Sequence, residues 1–286
     1  MNLSGTGVAL VTPFDQNLKV DYNGLKNVLE HTSSADYWVV HGTTGESATT
    51  TFEEKTGILD FILQNNPQNK PIIYGLGSND TKYIIDHLGE INFEGVSAIL
   101  SVCPYYNRPT QNGLYHHFHE IAEASPVPVI LYNVPGRTAS NLEAATTLRL
   151  AAHKNIVATK EASGDLRQCL EIVKNAPEGF VLISGDDLIT LPLMAIGGHG
   201  VISVLANAIP EKMSCMVREA QAGNLDKARN YLYDYFDLNP LMYREANPVG
   251  IKQLLKEMGL CENCVRPPLL AASDQLKTAI KKQLKK

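Results

Sequence analysis

Residues 155–164 read NIVATKEASG. Ile156, Val157, Ala158 and Thr159 form a short apolar run of the kind buried on both faces of a parallel sheet, and Lys160 stands where such a strand hands over to a loop. The same grammar recurs along the chain. GVALVTPF begins at Gly7, YWVVHGTTGE at Tyr37, PIIYGLGS at Pro71, GVSAILSVCPYY at Gly95, PVILYNVPG at Pro128, FVLISGDD at Phe180 and GVISVLAN at Gly200. Helix-period stretches lie between them, such as Leu25, Val28 and Leu29, then Leu166, Leu170 and Val173, each spaced to cover one face of a sheet. Ser140 and Glu143 have capping-box spacing before AATTLRLAA, and Gly223 follows EKMSCMVREAQA as a stop signal. This strand and helix rhythm predicts an α/β fold, a (β/α)8 TIM barrel, over residues 1–224. An open doubly wound sheet would carry a glycine-rich turn after its first strand, and TPFDQNLK occupies that place. LDKARNYLYDYFDL and PVGIKQLLKEMGL have helical patterns and no strand-like run, so residues 225–286 read as a C-terminal helical extension.

Composition narrows the class of function. The 286 residues are 44% hydrophobic and 19% charged, with no low-complexity block, as in an ordinary globular protein. A net charge of −5 and a basic tail confined to IKKQLKK argue against a nucleic-acid partner. No basic leader precedes a long apolar run and no stretch approaches a membrane span, so a cytoplasmic location is expected, with no membrane partner. The five cysteines, Cys103, Cys169, Cys215, Cys261 and Cys264, are scattered and odd in number, which speaks against a disulfide framework. CENC lacks the second close ligand pair that zinc needs, so Cys261 and Cys264 read as ordinary thiols on a late loop.

In a barrel of this kind the chemistry sits at the C-terminal strand ends. Lys160 lies at one. It either snorkels out or pairs with a carboxylate such as Glu161, or it serves as an amine nucleophile that forms an imine with a carbonyl substrate. An imine lets the adjacent carbon lose a proton, so a proton-transfer group must stand nearby. VILYNVPGRT, one strand earlier, offers Tyr132 as that group, although a strand tyrosine also serves simply as core. Arg137 has the fork that suits a carboxylate, or it forms a surface ion pair. GTTGE, residues 42–46, places two hydroxyls and backbone N–H groups between glycines, a turn able to hold a small anion; it lacks the lysine of a nucleotide-binding loop. GGHG, residues 197–200, precedes a strand and reads as a helix stop. Asp186 and Asp187 in SGDD, and His116 and His119 in HHFH, lack further ligands at recognisable spacing, so they read as solvated positions and no metal or cofactor is expected.

Taken in order, GTTGE, PYYNRPT, YNVPGRT, TKEASG, SGDD and GGHGVIS resemble the dihydrodipicolinate synthase family, within the superfamily of lysine-dependent pyruvate lyases and synthases. The resemblance runs through nearly the whole chain. It implies a (β/α)8 barrel that condenses pyruvate with L-aspartate 4-semialdehyde in diaminopimelate and lysine biosynthesis. Lys160 would form the pyruvate imine, with Thr43, Tyr132 and Tyr106 as a hydroxyl relay. Thr44 would hold the pyruvate carboxylate, Arg137 that of the semialdehyde, and Gly185 and Ile202 would line the same pocket through their backbone. Tyr106 would enter a neighbouring subunit's site, which implies a homotetramer built as a dimer of dimers. Ser47, Ala48, Asn79 and Tyr105 match part of the lysine-binding allosteric cleft of feedback-regulated members. Phe52 and Lys55 replace histidines there and Tyr83 replaces a glutamate, which predicts weak sensitivity to lysine. N-acetylneuraminate lyases and related keto-sugar-acid aldolases share the lysine and the tyrosine; the arginine of YNVPGRT and the first Thr of GTTGE, where those enzymes commonly have serine, favour the synthase form. A non-catalytic keto-acid sensor would have lost the nucleophile or the relay, and both are present.

Overall fold

The computed structural model describes residues 3–285; Met1, Asn2 and Lys286, the ends of the segments read for a leader and a basic tail, lie outside them. Eight strands form a closed barrel in sequence order: β1 (Gly5–Ala9), β2 (Tyr37–Val40), β3 (Ile72–Gly75), β4 (Val96–Val102), β5 (Val129–Asn133), β6 (Ile156–Glu161), β7 (Val181–Ser184) and β8 (Gly200–Ser203). The helices are α1 (Tyr22–His31), α2 (Phe52–Gln64), α3 (Thr81–Leu88), α4 (Gln111–Ala124), α5 (Pro135–Thr138), α6 (Ala144–Ala151), α7 (Leu166–Asn175), α8 (Thr190–Ala195) and α9 (Pro210–Gln221). Four more follow: α10 (Leu225–Tyr235), α11 (Asn239–Tyr243), α12 (Val249–Glu257) and α13 (Asp274–Leu284). This is the TIM barrel with C-terminal helices that the apolar rhythm predicts. No helix among the described residues is long and apolar enough to cross a membrane.

Two compact units share the chain. One comprises Pro71–Ile202 with the N-terminal residues up to Gly5, the other Thr6–Lys70 with residues 203–285. In the first, parallel pairing runs from β3 through β8, with Ile99, Ile130, Ala158 and Ile183 buried along it. Gly200 approaches the Gly5 backbone so closely that any Cβ would overlap the Gly5 carbonyl oxygen, which is why a glycine opens β8. In the second, β1 pairs with β2, and Tyr37, Phe14 and Tyr235 are among its largest buried side chains.

Local signals hold in part. Gly223 adopts φ +79° just beyond α9, and Gly197 adopts φ +107° after α8, the left-handed turns their positions call for. Ser140 does not cap α6. The N-cap there is Glu143, while Ser140 is buried with its carbonyl accepting from the Thr138 hydroxyl. Leu170 is 49% exposed, so the covering face of α7 runs through Gln168, Cys169 and Ile172. The apolar triplet at 166, 170 and 173 lies one residue out of phase with that face, which includes Gln168, buried while it donates to Glu161.

His117 on α4 is buried against the Thr81 hydroxyl at 2.8 Å from Nδ1, and burial holds its imidazole down to about 4, with Asp80 opposing. The unfolded imidazole takes a proton near pH 6.5 while the folded one does not, so stability falls as pH drops below 6.5 and stops falling near 4. From pH 7 to 5 this residue should cost about 2 kcal/mol. Urea unfolding at both pH values checks it: His117→Gln should lose that part of the difference, and an unchanged difference would mean that His117 is protonated in the fold.

Candidate active site

Register brings the predicted pair together. Tyr132 lies opposite Lys160 and Asn133 opposite Glu161 across β5 and β6. Side chains alternate along a strand, so the first pair shares one face and the second pair the other. Lys160 is 6% exposed and Tyr132 7%, and Lys160 Nζ sits 4.2 Å from the centroid of the Tyr132 ring. No carboxylate or hydrogen-bond acceptor among the described residues holds that nitrogen.

Glu161 is not its partner. Its oxygens accept from Asn133 Nδ2 at 3.1 and 3.0 Å, Gln168 Nε2 at 3.0 Å and the Ser163 N–H at 2.8 Å. Burial pushes the Glu161 carboxyl above the usual carboxylate range, and these donors offset part of the rise. The sequence shows Glu161 only as a neighbour of Lys160; alternation sends it to the opposite side, where it ties the ends of β5 and β6 to α7. Gly185 keeps the space beside the lysine open. Its N–H donates to Glu161 O at 2.8 Å, and a Cβ there would lie 3.0 Å from Lys160 Cε and 2.7 Å from Ala162 Cβ. Ile202 is buried in β8.

Arg137 is exposed on α5 with no partner for its guanidinium among the described residues, which removes the ion-pair alternative within the chain. Tyr106 stands 87% exposed with φ +72°, a backbone region that costs a bulky residue about 1–3 kcal/mol. It is held out in solvent rather than folded into its own barrel.

The second unit builds the turn at 42–46. Gly45 N–H donates to Gly42 O and Glu46 N–H to Thr43 O, each at 3.1 Å, while the Thr12 hydroxyl donates to Gly45 O at 2.7 Å. Thr43 is half-buried and Thr44 buried. Asn247 Nδ2 donates to Thr44 Oγ1 at 3.0 Å. Glu46, with φ +53°, is anchored at both oxygens: Lys252 Nζ donates to one at 2.5 Å and the Arg266 N–H to the other at 2.9 Å. Lys252 is fully buried, donates also to Cys264 O at 2.8 Å, and lies 4.1 Å from the Phe14 ring centroid. Burial lowers its pKa and Glu46 opposes the shift. Arg266 grips Glu54 through two nitrogens at 2.7 and 2.6 Å and the Leu18 carbonyl at 3.1 and 2.7 Å. Asn247, Lys252 and Arg266 were not among the sequence candidates. Lys252 carries a signal in the sequence: it is the one charged residue of VGIKQLL, residues 249–255, and the structure buries all seven.

Two readings of solvated positions need correction. Asp187 is 1% exposed, whereas Asp186 caps the next turn by accepting from the Leu188 and Ile189 N–H groups at 2.9 and 3.2 Å. His119 does meet two further ligand types in space, Glu123 on the next turn of α4 and His153 beyond α6. Both His153 nitrogens are already used: Nδ1 accepts from the Asn155 N–H at 3.1 Å, so Nε2 carries the proton that faces Glu123 at 2.6 Å. The group is a hydrogen-bonded pair beside a third ring and is not arranged for a cation. Cys261 is buried after α12, its thiol pushed up to about 12 by burial.

A buried lysine amine with no partner among the described residues, at a strand end of a parallel eight-stranded barrel, is the arrangement a Schiff-base-forming lyase or synthase needs. The chain belongs to the dihydrodipicolinate synthetase family, whose model matches residues 2–286. A 4-hydroxy-tetrahydrodipicolinate synthase of Cytophaga hutchinsonii is 51% identical over 274 residues, 95% of this chain and 92% of its own length. The chloride-inhibited dihydrodipicolinate synthase of Acinetobacter baumannii, solved with pyruvate, is 37% identical with a TM-score of 0.96, covering 99% of this chain and 98% of its own. The Cyanidioschyzon merolae enzyme, solved with lysine bound, is 35% identical with a TM-score of 0.94, covering 98% and 97%.

Proposed function

We infer that the chain condenses pyruvate with L-aspartate 4-semialdehyde through an imine on Lys160, the reaction of a 4-hydroxy-tetrahydrodipicolinate synthase, in diaminopimelate and lysine biosynthesis. The observation that carries this is the buried Lys160 amine, free of any carboxylate partner among the described residues and seated against Tyr132. Lys160 Nζ adds to the pyruvate ketone and water leaves; a methyl proton is then lost, and the enamine carbon attacks the aldehyde. The amine of the semialdehyde then closes on the imine carbon and releases Lys160. Tyr132, Thr43 and a Tyr106 from a second copy move the protons, Thr44 holds the pyruvate carboxylate, and the backbone of Gly185 and Ile202 lines the pocket. The exposure of Tyr106 supports a copy-to-copy role; the homotetramer and the cytoplasmic location belong to the family reading. Residues 1–224 act as the catalytic barrel and 225–286 as its helical extension. A coupled assay with pyruvate and the semialdehyde, run beside one with N-acetylneuraminate, tests the reading: turnover only of the sugar acid would overturn it.

Arg137 holds the semialdehyde carboxylate. Arg137→Ala should leave pyruvate trapping by borohydride intact while kcat/KM for the semialdehyde falls at least about tenfold, the cost of one charge-assisted contact. Equal loss of trapping would assign Arg137 to pyruvate or to the fold.

Ser47, Ala48, Asn79 and Tyr105 match part of the lysine-binding pattern of feedback-regulated family members, and L-lysine should inhibit this chain weakly or not at all. Lys55 is half-buried, with burial lowering its pKa, and Tyr83 stacks on His87 at 3.8 Å, so neither position supplies the acid that an ammonium group needs. Titration with lysine at fixed substrates should show little inhibition; strong inhibition below millimolar lysine would mean that other acceptors serve.

A further inference from the structure

Thr44 is buried, yet its hydroxyl has a single partner among the described residues, Asn247 Nδ2 at 3.0 Å. Because Nδ2 can only donate, Thr44 Oγ1 is the acceptor, and its own hydrogen finds no acceptor among the described residues. Asn247 is 6% exposed, and its Oδ1 is buried with no hydrogen-bond partner among them, so no second bond draws the amide away from Thr44. The residue before it, Ala246, is held at φ +128°, a region that a side chain rarely occupies and that costs about 1–3 kcal/mol. A strained backbone, a buried amide bonded at one end only, and a hydroxyl hydrogen left unspent converge on the turn assigned to the pyruvate carboxylate. Lys252, in the helix that starts two residues after Asn247, holds the other end of that turn through Glu46.

We propose that Asn247 is a positioning residue: by donating to Thr44 Oγ1 it turns the Thr44 hydroxyl hydrogen toward the bound carboxylate. The inference rests on the reading of Thr44 as a pyruvate-binding residue. It makes the segment between α11 and α12, some two hundred residues later in the chain, part of the ground-state recognition of the keto acid.

A double-mutant cycle on the full-length protein tests it, with Asn247→Ala, Thr44→Val and the pair. The readouts are KM for pyruvate, kcat, the pyruvate concentration that half-saturates borohydride trapping, and the melting temperature. Asn247→Ala should raise KM about fivefold, the worth of one ordinary hydrogen bond, and leave kcat nearly unchanged. In the Thr44→Val background it should add nothing, because the residue acts only through Thr44. Asn247→Asp has the same shape and keeps the test open if the alanine variant does not fold. Its carboxylate accepts the Thr44 hydrogen and repels the anion, so it should raise KM more than Asn247→Ala. Additive effects in the cycle, or an Asn247→Asp variant that binds pyruvate as the native protein does, would overturn the proposal. A native protein that traps no pyruvate would instead overturn the functional reading, and this inference with it.

Discussion

Lys160→Ala should lose turnover by about a thousandfold or more and form no borohydride-stable adduct with pyruvate. Alanine keeps the strand, since the main-chain pairing of residue 160 with Tyr132 and Ile183 does not use the side chain. What disappears is the amine assigned to the C–N bond. In the native protein, reductant should convert the imine to a secondary amine, leaving one pyruvate-derived group on the peptide that contains Lys160. The remaining lysines are poor competitors where their ammonium groups are solvated or held by carboxylates, as Lys82 is by Asp86 and Lys256 by Glu262. An adduct of equal yield in Lys160→Ala, found by peptide mapping, would remove Lys160 from the mechanism.

The second large effect lies in stability. Lys252→Met should destabilise the protein by about 3–5 kcal/mol, because it leaves the Glu46 carboxylate in the interior without its counter-ion. Methionine fills much of the same volume against Phe14, so the loss measures the stranded charge and not a cavity. Removing both charges should recover most of it: Glu46→Gln combined with Lys252→Met should unfold at a denaturant concentration well above that of Lys252→Met alone. The amide can still accept the Arg266 N–H that Glu46 accepts now. If the double variant is as unstable as the single one, the pair contributes through packing rather than charge. Since Glu46 closes the 42–46 turn, the single variant should also bind pyruvate more weakly.

The two effects sit at opposite ends of what can be read in advance. Lys160 is visible in the sequence because a cation breaks the apolar run of a strand, and a strand end in a parallel barrel is where such a group can act. Lys252 breaks an apolar helix face in the same way, but its partner is 206 residues earlier, and nothing in either local pattern names the other. Leu170 and Ser140 show the converse failure, local signals that tertiary packing overrides. The apolar spacing around Leu170 yields to the bonds of Gln168, and the capping residue of α6 is Glu143 because Ser140 is drawn into the turn at Thr138.

By itself the sequence determined the repeating strand and helix order, the parallel barrel that follows from it, and the strand-end position of Lys160 one strand after Tyr132. These rest on periodicity and on single residues out of place, which are properties of neighbouring positions. Only the tertiary structure decided that Glu161 turns away to Asn133 and Gln168, that Asn247 meets Thr44, that Lys252 neutralises Glu46, and that His119 stands beside His153. Each of those is a pairing of polar groups across the fold. Burial makes an unpaired polar group expensive, so the chain must pair them, but which group answers which is set by where barrel closure and helix docking bring distant segments together.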